Sequence, residues 1–541
     1  MNLLIKNGLI VDGTGSPGYH ADILLRRDTI EKIEENITAE DCEIVDASDR
    51  VISPGFIDMH SHGDFTILQV NKAEPSIMQG VTTLIVGVCG LGRAPANEKV
   101  RDYSLFVAKL FSTEMELYDT LQEFIDMITE KGVSVNLGFF IPHGNIRTYV
   151  MGLEDRPATE EEIKKMKGLV KHGMEAGCFG LSTGLIYPPG EFTHTEELIE
   201  VCKALKEYDG IYNSHMRNEG KEIIEQGINE LIQIAKEAEI KAHISHLKVG
   251  GFSVSKLPPK IINLIKSARD KGLFLHADLY PYEEVPFFVT AVLSPWVFEN
   301  FEKNLTNPET RKKVLDEIFD YFFEFTKALP KIVRIIPKFI IKWIMISYIK
   351  KKIRVLRVLN NHQIEGKFLG EALKILYPRT KFLEALLDFV RDEEGFITLS
   401  YKWMDEKKSI LSFFKQDFVC IGTDGFLVPE GNTHPRAYGT FPKILGDYVR
   451  ERQLVSLEEG IRKMTGLPAS ILGLTDRGLI REGYKADLVI FNPTTIKDNA
   501  TYVNGRQYPS GIDSVIVNGE ITVASGNYNG VLNGQILKHS K

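Results

Sequence analysis

The sequence predicts an α/β protein: a TIM (β/α)8 barrel with a small β-sandwich formed by the N- and C-terminal segments. Three observations predict it. Strand-like segments alternate with helical segments through the middle of the chain, eight such strands can be counted there, and both ends consist of short strands with tight turns. Alternating strands and helices are typical of a parallel sheet, and eight parallel strands close a TIM barrel.

The eight predicted barrel strands are short apolar runs that end in polar residues. We expect them at residues 55–62, 82–90, 133–141, 177–184, 210–217, 241–248, 273–282 and 417–425. Segments with apolar residues at three- and four-residue spacing, such as TEEEIKKMKGLVKHGMEA, separate most of them and predict helices. The barrel is therefore expected over 55–479, the sandwich over 1–54 plus 480–541, and an insertion at about 295–400 between the seventh and eighth strands.

Composition narrows the class of protein. With 541 residues, 43% of them hydrophobic, the chain can bury a full core. Its net charge of −8 carries no global basic footprint, so no nucleic-acid partner is expected. Five scattered cysteines favour a reducing compartment. Lys6, Asn7 and Gly8 interrupt the first apolar run too early for a secretory signal, so the chain is predicted to be cytoplasmic.

Ligand-type side chains fall at the carboxyl ends of the predicted strands. The first strand ends in His60 and His62, the second in Cys89, the fifth in His215, the sixth in His246 and the eighth in Asp424. In a closed barrel these ends meet at one mouth, where this fold carries its active site. Imidazole, thiolate and carboxylate together suit zinc, so we predict a site for one or two Zn2+ ions. His243, three residues before His246, is expected to face the opposite side of its strand.

A set of motifs in fixed order resembles the amidohydrolase superfamily. They are PGFIDMHSHGD, GVTTLIVGVCG, GLSTGLIYPPG, SHMRNE, SHLK, GTDG, HPRAYGTFPKILGDYVRE and IRKMTGLPASILGLTDRGLI. Within the superfamily they resemble most closely the D-aminoacylases, also called N-acyl-D-amino-acid deacylases. The resemblance covers most of the chain apart from a block after residue 300. It implies a zinc-dependent enzyme that hydrolyses the amide bond of N-acyl-D-amino acids and releases a carboxylate and a free D-amino acid.

The resemblance also implies a role for each motif residue. One metal position is expected to be held by His60, His62 and Asp424, and a more tightly occupied one by Cys89, His215 and His246. The family's contacts to the substrate carboxylate match Lys248, Tyr280 and Arg436, with Tyr282 as a substitute for Tyr280. The chain departs from the family at Val88, where asparagine is common, and this puts one supporting hydrogen bond behind the cysteine in doubt.

General chemistry predicts how such a site would act. Zinc acidifies water and polarises the scissile carbonyl. Asp424, beside the metal, is the expected catalytic base and acid: it takes a proton from water and passes it to the leaving amine. Arg436 suits a bidentate grip on a carboxylate and Lys248 a point charge. The alternative interpretation of both cations is a surface ion pair.

Two other functions stay open at this point. A cyclic-amide hydrolase of the hydantoinase or dihydroorotase kind usually bridges two metals with a carboxylated lysine from the fourth strand, and GCFGLSTG contains no lysine. A non-catalytic scaffold would be expected to lose ligands, and here all six are present.

The block after residue 300 has an unusual charge pattern. No acidic residue occurs from Phe325 to Ile364, while PKFIIKWIMISYIKKKIRVLRVL mixes aliphatic, aromatic and basic residues. Its apolar run is shorter than the roughly 20 residues that a spanning helix needs. Three interpretations stay open: a packed helical insertion with a basic outer face, a lid or subunit contact in a homo-oligomer, and a basic helix on an anionic membrane surface through residues 325–360.

Overall fold

A closed barrel of eight parallel strands forms the centre of the molecule. The computed structural model describes residues 2–101, 116–251, 254–294, 296–326 and 337–539. The barrel strands are β1 (Phe56–Asp58), β2 (Val81–Val86), β3 (Asn136–Pro142), β4 (Gly180–Gly184), β5 (Ile211–His215), β6 (Lys241–Ile244), β7 (Leu275–Leu279) and β8 (Val419–Ile421), each beside its neighbour in sequence. A parallel bridge between Ser61 and Gly425 joins the first strand to the last. The predicted barrel is confirmed.

Helices follow the strands and pack on their outer faces. Among the described residues, the α-helices outside the insertion are Glu74–Ile77, Leu121–Lys131, His143–Met151, Glu160–Glu175, Thr195–Cys202, Asn229–Ala238, Leu257–Asp270, Leu411–Phe414, Arg436–Lys443, Leu457–Met464 and Gly466–Leu472. The longest shows why these segments form where they do. The Thr159 hydroxyl accepts the Glu162 N–H and the Glu162 carboxylate accepts the Thr159 N–H, which closes a capping box. Four-residue spacing then puts Met166 and Val170 on the buried side.

The two ends of the chain form two packed sheets. One contains Thr29–Glu34, Asp22–Arg26, Asn2–Lys6 and Glu43–Asp46; the other contains Asn527–Tyr528, Glu520–Ala524, Ile512–Val517, Leu488–Phe491, Val51–Pro54, Leu9–Ile10 and Tyr19–His20. Val51–Pro54 pairs with Leu488–Phe491, so the termini share one sheet. Ile5, Ile23 and Leu488 lie in one apolar core, and the predicted sandwich is confirmed. The boundaries 1–54 with 480–541 and 55–479 stay a proposal.

An insertion with its own core lies between β7 and β8. Its antiparallel sheet consists of Glu284–Phe288, Thr398–Lys402 and Ile353–Arg357, and its helices are Trp296–Glu299, Phe301–Thr306, Pro308–Thr326, Lys338–Lys352, Leu369–Leu376 and Phe382–Asp392. Val355, Phe389 and Leu399 belong to an apolar cluster separate from that of the barrel. Residues 327–336 of the predicted insertion and of the 325–360 segment lie outside the described residues. Among the residues described, no helix has the length and apolar character to cross a membrane.

Candidate metal centre and active site

A cluster of ligand-type side chains surrounds Cys89 at the carboxyl end of the barrel. Its Sγ lies 3.6 Å from His215 Nδ1 and 3.5 Å from His246 Nε2, and these two nitrogens are 3.0 Å apart. His60 Nε2 is 3.2 Å from the same sulfur. Burial would raise the pKa of the Cys89 thiol, but His60 and His246 outweigh burial and bring this pKa well below its usual value. The thiolate, the form that binds metals, is therefore favoured.

A second cluster surrounds Asp424 and is continuous with the first. Asp424 Oδ1 lies 3.1 Å from His62 Nε2 and 3.7 Å from His60 Nε2, while Oδ2 accepts a hydrogen bond from Arg436 Nη1 at 2.6 Å. Burial would raise the pKa of this carboxyl, but Arg436 and the histidines hold it well below its usual value. His60 faces both Cys89 and Asp424. The structure thus brings all six predicted ligand residues to one place.

The donor set fits a divalent cation. Three overlapping triads have ligand atoms within 4.8 Å of one another: His60, His62 and Cys89; Cys89, His215 and His246; and His60, His246 and Asp424. The ligand atoms of each triad are nitrogen, sulfur or oxygen atoms with lone pairs. Hydrogen bonds among three such atoms would need a proton between each pair, so the three cannot all satisfy one another. A cation among them satisfies all three lone pairs. Nitrogen, sulfur and oxygen donors in this combination are those of a zinc site.

Backbone strain is concentrated at these positions. Cys89 has φ +56°, His246 +34° and Asp424 +50°, all in the left-handed region. A non-glycine residue held there costs on the order of 1–3 kcal/mol. Three strained residues in one site show that the surrounding structure positions these side chains at an energetic cost. Val88, the residue that departs from the family pattern, is buried in an apolar cluster with Ile57.

Asp278 contacts two of the ligand residues, His60 and His246, and was missed by the sequence analysis. Its Oδ1 accepts the His246 N–H at 2.9 Å, and its Oδ2 lies 2.9 Å from His243 Nε2 and 3.4 Å from His60 Nδ1. Because it faces the outer nitrogen of His60, this carboxylate turns Nε2 of the same ring toward the other ligands. The only signal in the sequence is a carboxylate within the strand-like segment LFLHADL that precedes Tyr280.

The expectation that His243 faces away from the site is wrong. The strand β6 ends at Ile244, and the positive φ of His246 breaks the two-residue alternation on which the expectation depended. The His243 ring therefore reaches Asp278 beneath the metal ligands.

Glu219 is a second supporting carboxylate that the sequence analysis missed. Its Oε1 lies 3.1 Å from His246 Nδ1 and 3.7 Å from His215 Nε2, which are the nitrogens that point away from Cys89. The Lys248 ammonium donates to the same oxygen at 2.6 Å. Burial would raise the pKa of Glu219, but Lys248 and the histidines lower it to about 2. Its position four residues after His215 was the available signal.

The three predicted substrate-binding residues lie together beside the centre. Lys248, Tyr280 and Arg436 are all buried, so neither cation is a surface ion pair. The Arg436 guanidinium carbon is 4.8 Å from the centroid of the Tyr280 ring, and Lys248 Nζ is 5.9 Å from it. The Tyr280 hydroxyl has no hydrogen-bond partner among the described residues. Tyr282 instead donates to Asp498 at 2.7 Å, so Tyr280 is the tyrosine next to both cations.

Known proteins match the chain over its whole length. The model of an amidohydrolase family matches residues 43–247 and 415–523. D-aminoacylase from Alcaligenes xylosoxydans xylosoxydans is 31% identical over 99% of this chain and 97% of its own length. A D-aminoacylase structure described for its binuclear metal centre is 29% identical, with a TM-score of 0.79 over 99% of both chains. N-acyl-D-glutamate deacylase from Bordetella bronchiseptica, solved with zinc and a phosphonate inhibitor, is 26% identical, with a TM-score of 0.79 over 99% of both chains.

Barrel, site and relatives agree on the class of protein. A closed parallel barrel with ligand-type residues at its carboxyl end is the architecture of an amidohydrolase, and the chain belongs to the amidohydrolase family. Within that family it is a member of the D-aminoacylase group, whose enzymes hydrolyse linear amides.

Proposed function

We propose that this chain is a zinc-dependent deacylase of N-acyl-D-amino acids, releasing a carboxylate and a free D-amino acid. One observation carries the proposal: the six ligand-type residues adjoin a buried group of two cations and a tyrosine. A metal centre beside a carboxylate-binding group suits a substrate in which the nitrogen of the scissile amide is bonded to the carbon that carries a carboxylate. The relatives named as D-aminoacylase and N-acyl-D-glutamate deacylase support the substrate class.

In this proposal the six residues hold one or two zinc ions. One position takes His60, His62 and Asp424, and the other takes Cys89, His215 and His246. The donor chemistry supports zinc, as does the zinc present in the Bordetella relative. When bound, zinc would lower the pKa of water enough for hydroxide to be present at neutral pH, and it would polarise the scissile carbonyl.

Asp424 moves the proton. Its Oδ1 faces the histidines, and its Oδ2 is bonded to Arg436, which keeps the carboxylate ionised. The carboxylate accepts a proton from the attacking water as the carbon–oxygen bond forms. It then gives this proton to the amide nitrogen as the carbon–nitrogen bond breaks, so that the amine leaves neutral.

Arg436, Lys248 and Tyr280 hold the substrate carboxylate. Arg436 uses one N–H for Asp424, and its guanidinium has four more donors. The Tyr280 hydroxyl is available as a further donor, since it has no partner among the described residues. Anchoring the carboxylate and the scissile amide fixes two substituents of the α-carbon. The space left for the third, the side chain, then decides between D- and L-substrates.

The cyclic-amide alternative is less well supported. It needs a lysine on the fourth strand, and β4 (Gly180–Gly184) contains none. Ser182 on this strand instead accepts the Gly90 N–H at 3.0 Å and donates to the Gly87 carbonyl at 2.5 Å, which supports the loop that carries Cys89.

Metal analysis joined to a hydrolysis screen tests the proposal. The purified chain is assayed for bound zinc and then offered matched N-acetyl-D- and N-acetyl-L-amino acids, a hydantoin and dihydroorotate, with release of free amine as the readout. We expect bound zinc and turnover of the D-compounds. An Asp424→Asn variant serves as the control for contaminating activity. Preference for L-compounds or for cyclic amides would overturn the proposal.

A further inference from the structure

An exposed apolar stripe runs along the helix Lys338–Lys352 of the insertion. It consists of Phe339, Ile340, Trp343, Ile344 and Tyr348, which we call the aromatic stripe. Phe339 is 73% exposed and Trp343 is 71% exposed. Four-residue spacing places these two side chains on the same side of the helix. The other side is occupied, since Ile349 is buried in the insertion core and the helix packs on Leu369–Leu376.

Along the chain, only basic residues accompany the aromatic stripe. Seven lysines and three arginines lie between residues 325 and 364, with no aspartate or glutamate, although the whole chain has a net charge of −8. Lys351 and Lys352 are exposed at the end of the helix. Lys342 and Lys350 lie over the rings of Phe319 and Phe382, at 3.9 and 4.7 Å from the ring centroids. No ion pair joins Lys342, Lys350, Lys351 or Lys352 to an acidic side chain within the described ranges.

We infer that the aromatic stripe docks on the surface of an anionic lipid bilayer. Aromatic side chains beside lysines are the combination that binds this interface: rings enter the boundary between headgroups and acyl chains, and lysines pair with anionic headgroups. The helix lies on such a surface and does not cross it.

A second copy of the chain fits the stripe less well. If two copies met through the same helix, each would place its lysines against those of the other, and like charges at short distance repel. A contact with another part of the surface would need a complementary apolar patch. Apart from Phe368 and Ile375 on or beside the adjoining helix Leu369–Leu376, the other large exposed apolar side chains of the described residues lie on separate elements, for example Ile44, Leu153 and Val503. Scattered residues of this kind are normal on a protein surface.

The helix is connected to the mouth of the barrel. It leads directly into the strand Ile353–Arg357, which shares a sheet with Glu284–Phe288. The Phe288 ring lies 6.3 Å from that of Phe426, and Phe426 stacks on His62 at 4.7 Å. One shared sheet and two ring contacts thus connect the stripe helix to the metal-ligand residue His62. The docking itself does not depend on the proposed reaction.

Vesicle sedimentation of the full chain tests this inference. The probes are vesicles of phosphatidylcholine alone and vesicles with about a third phosphatidylglycerol, each at low and high salt. We expect binding to the anionic vesicles only, weakened by salt, with a blue shift in tryptophan fluorescence that Trp343→Phe largely removes. Phe339→Ala with Trp343→Ala should lower the partition coefficient at least tenfold, and Lys351→Glu with Lys352→Glu should do likewise.

Matched controls separate docking from other effects. Ile375→Ala removes an apolar side chain that is 48% exposed on the adjoining helix, and it should leave vesicle binding unchanged. The stripe variants should keep the circular dichroism spectrum and the melting temperature of the wild type, which shows that they fold. Equal recovery in the supernatant with both kinds of vesicle would overturn the inference. A dimer in light scattering that becomes a monomer in Trp343→Ala would also overturn it, in favour of a second copy.

Discussion

Replacing Asp278 by asparagine should loosen the metal centre without removing a metal ligand. The carboxylate accepts from the His246 N–H and faces His243 Nε2 and His60 Nδ1. Burial would raise its pKa, but His60 and His243 hold the pKa far below its usual value, so both oxygens are acceptors. An asparagine at this position has only one acceptor oxygen. If its oxygen stays on the His246 N–H, its amide donor faces two imidazole N–H groups.

The size of the effect follows from these contacts. Losing one hydrogen bond to a charged acceptor costs about 1.5–3 kcal/mol. If the variant must spend this free energy to orient His60 when the metal binds, metal affinity falls by roughly ten- to a hundredfold. This is the usual range for groups that orient a metal ligand. All six ligand-type side chains remain, so the number of ions bound at saturation should be unchanged.

Competition with a chelator measures this change. The zinc dissociation constant of wild type and Asp278→Asn is determined with a chromophoric chelator, and circular dichroism monitors folding. The matched control is Asp487→Asn, because Asp487 is also buried and accepts from the Asn518 N–H at 2.8 Å, from Asn136 at 3.0 Å and from Arg477, none of which is a ligand residue. This control should lose stability and keep its zinc affinity. Equal affinity in wild type and Asp278→Asn would refute the reasoning.

Four further outcomes are expected. Asp424→Asn should lower kcat by about 10²–10⁴ in steady-state hydrolysis of an N-acetyl-D-amino acid; wild-type turnover would contradict its role as base. Arg436→Lys should lower kcat/KM for that substrate by about ten- to a hundredfold, since lysine cannot grip a carboxylate with two parallel bonds; an unchanged value would remove Arg436 from substrate binding. Removing metal with a chelator should abolish hydrolysis while circular dichroism stays constant, and added zinc should restore it. Burial, helped by the charge of Arg147, lowers the pKa of His143 from 6.5 to about 3. As the pH falls, His143 is therefore protonated in the unfolded chain before it is protonated in the folded one. Its effect on the free energy of unfolding is absent above about pH 6.5, and between there and its folded pKa it lowers this free energy by about 1.4 kcal/mol per pH unit. Urea unfolding at neutral and acid pH should show a shallower decline in His143→Phe, and parallel curves would contradict this assignment.

The barrel was predictable because its pattern is local. Each strand is a short apolar run, each helix has its own periodicity, and an element requires little information from outside its segment. Strand ends were less predictable. The predicted strand 241–248 ends at Ile244 in the structure because His246 adopts a positive φ. The spacing of apolar residues does not predict such a backbone angle. The orientation of His243 was wrong for this reason.

The supporting carboxylates illustrate a second limit. Glu219 and Asp278 are ordinary acidic residues in the sequence, and their importance lies in what faces them. Glu219 meets Lys248 and the outer nitrogen of His246, and Asp278 meets the outer nitrogen of His60. These partners are 27 to 218 residues away along the chain, so only the closed barrel brings them within hydrogen-bond distance.

The sequence by itself determined which residue types reach the mouth of the barrel: imidazole, thiolate and carboxylate groups at strand ends, and a basic apolar helix in the insertion. Strand order and chemical type are both properties of the linear chain. The tertiary structure decided which atoms meet, which carboxylates orient the ligand rings, and which side of the helix Lys338–Lys352 stays uncovered. Distances and exposure depend on how separate elements pack, and packing is settled only when the whole chain is folded.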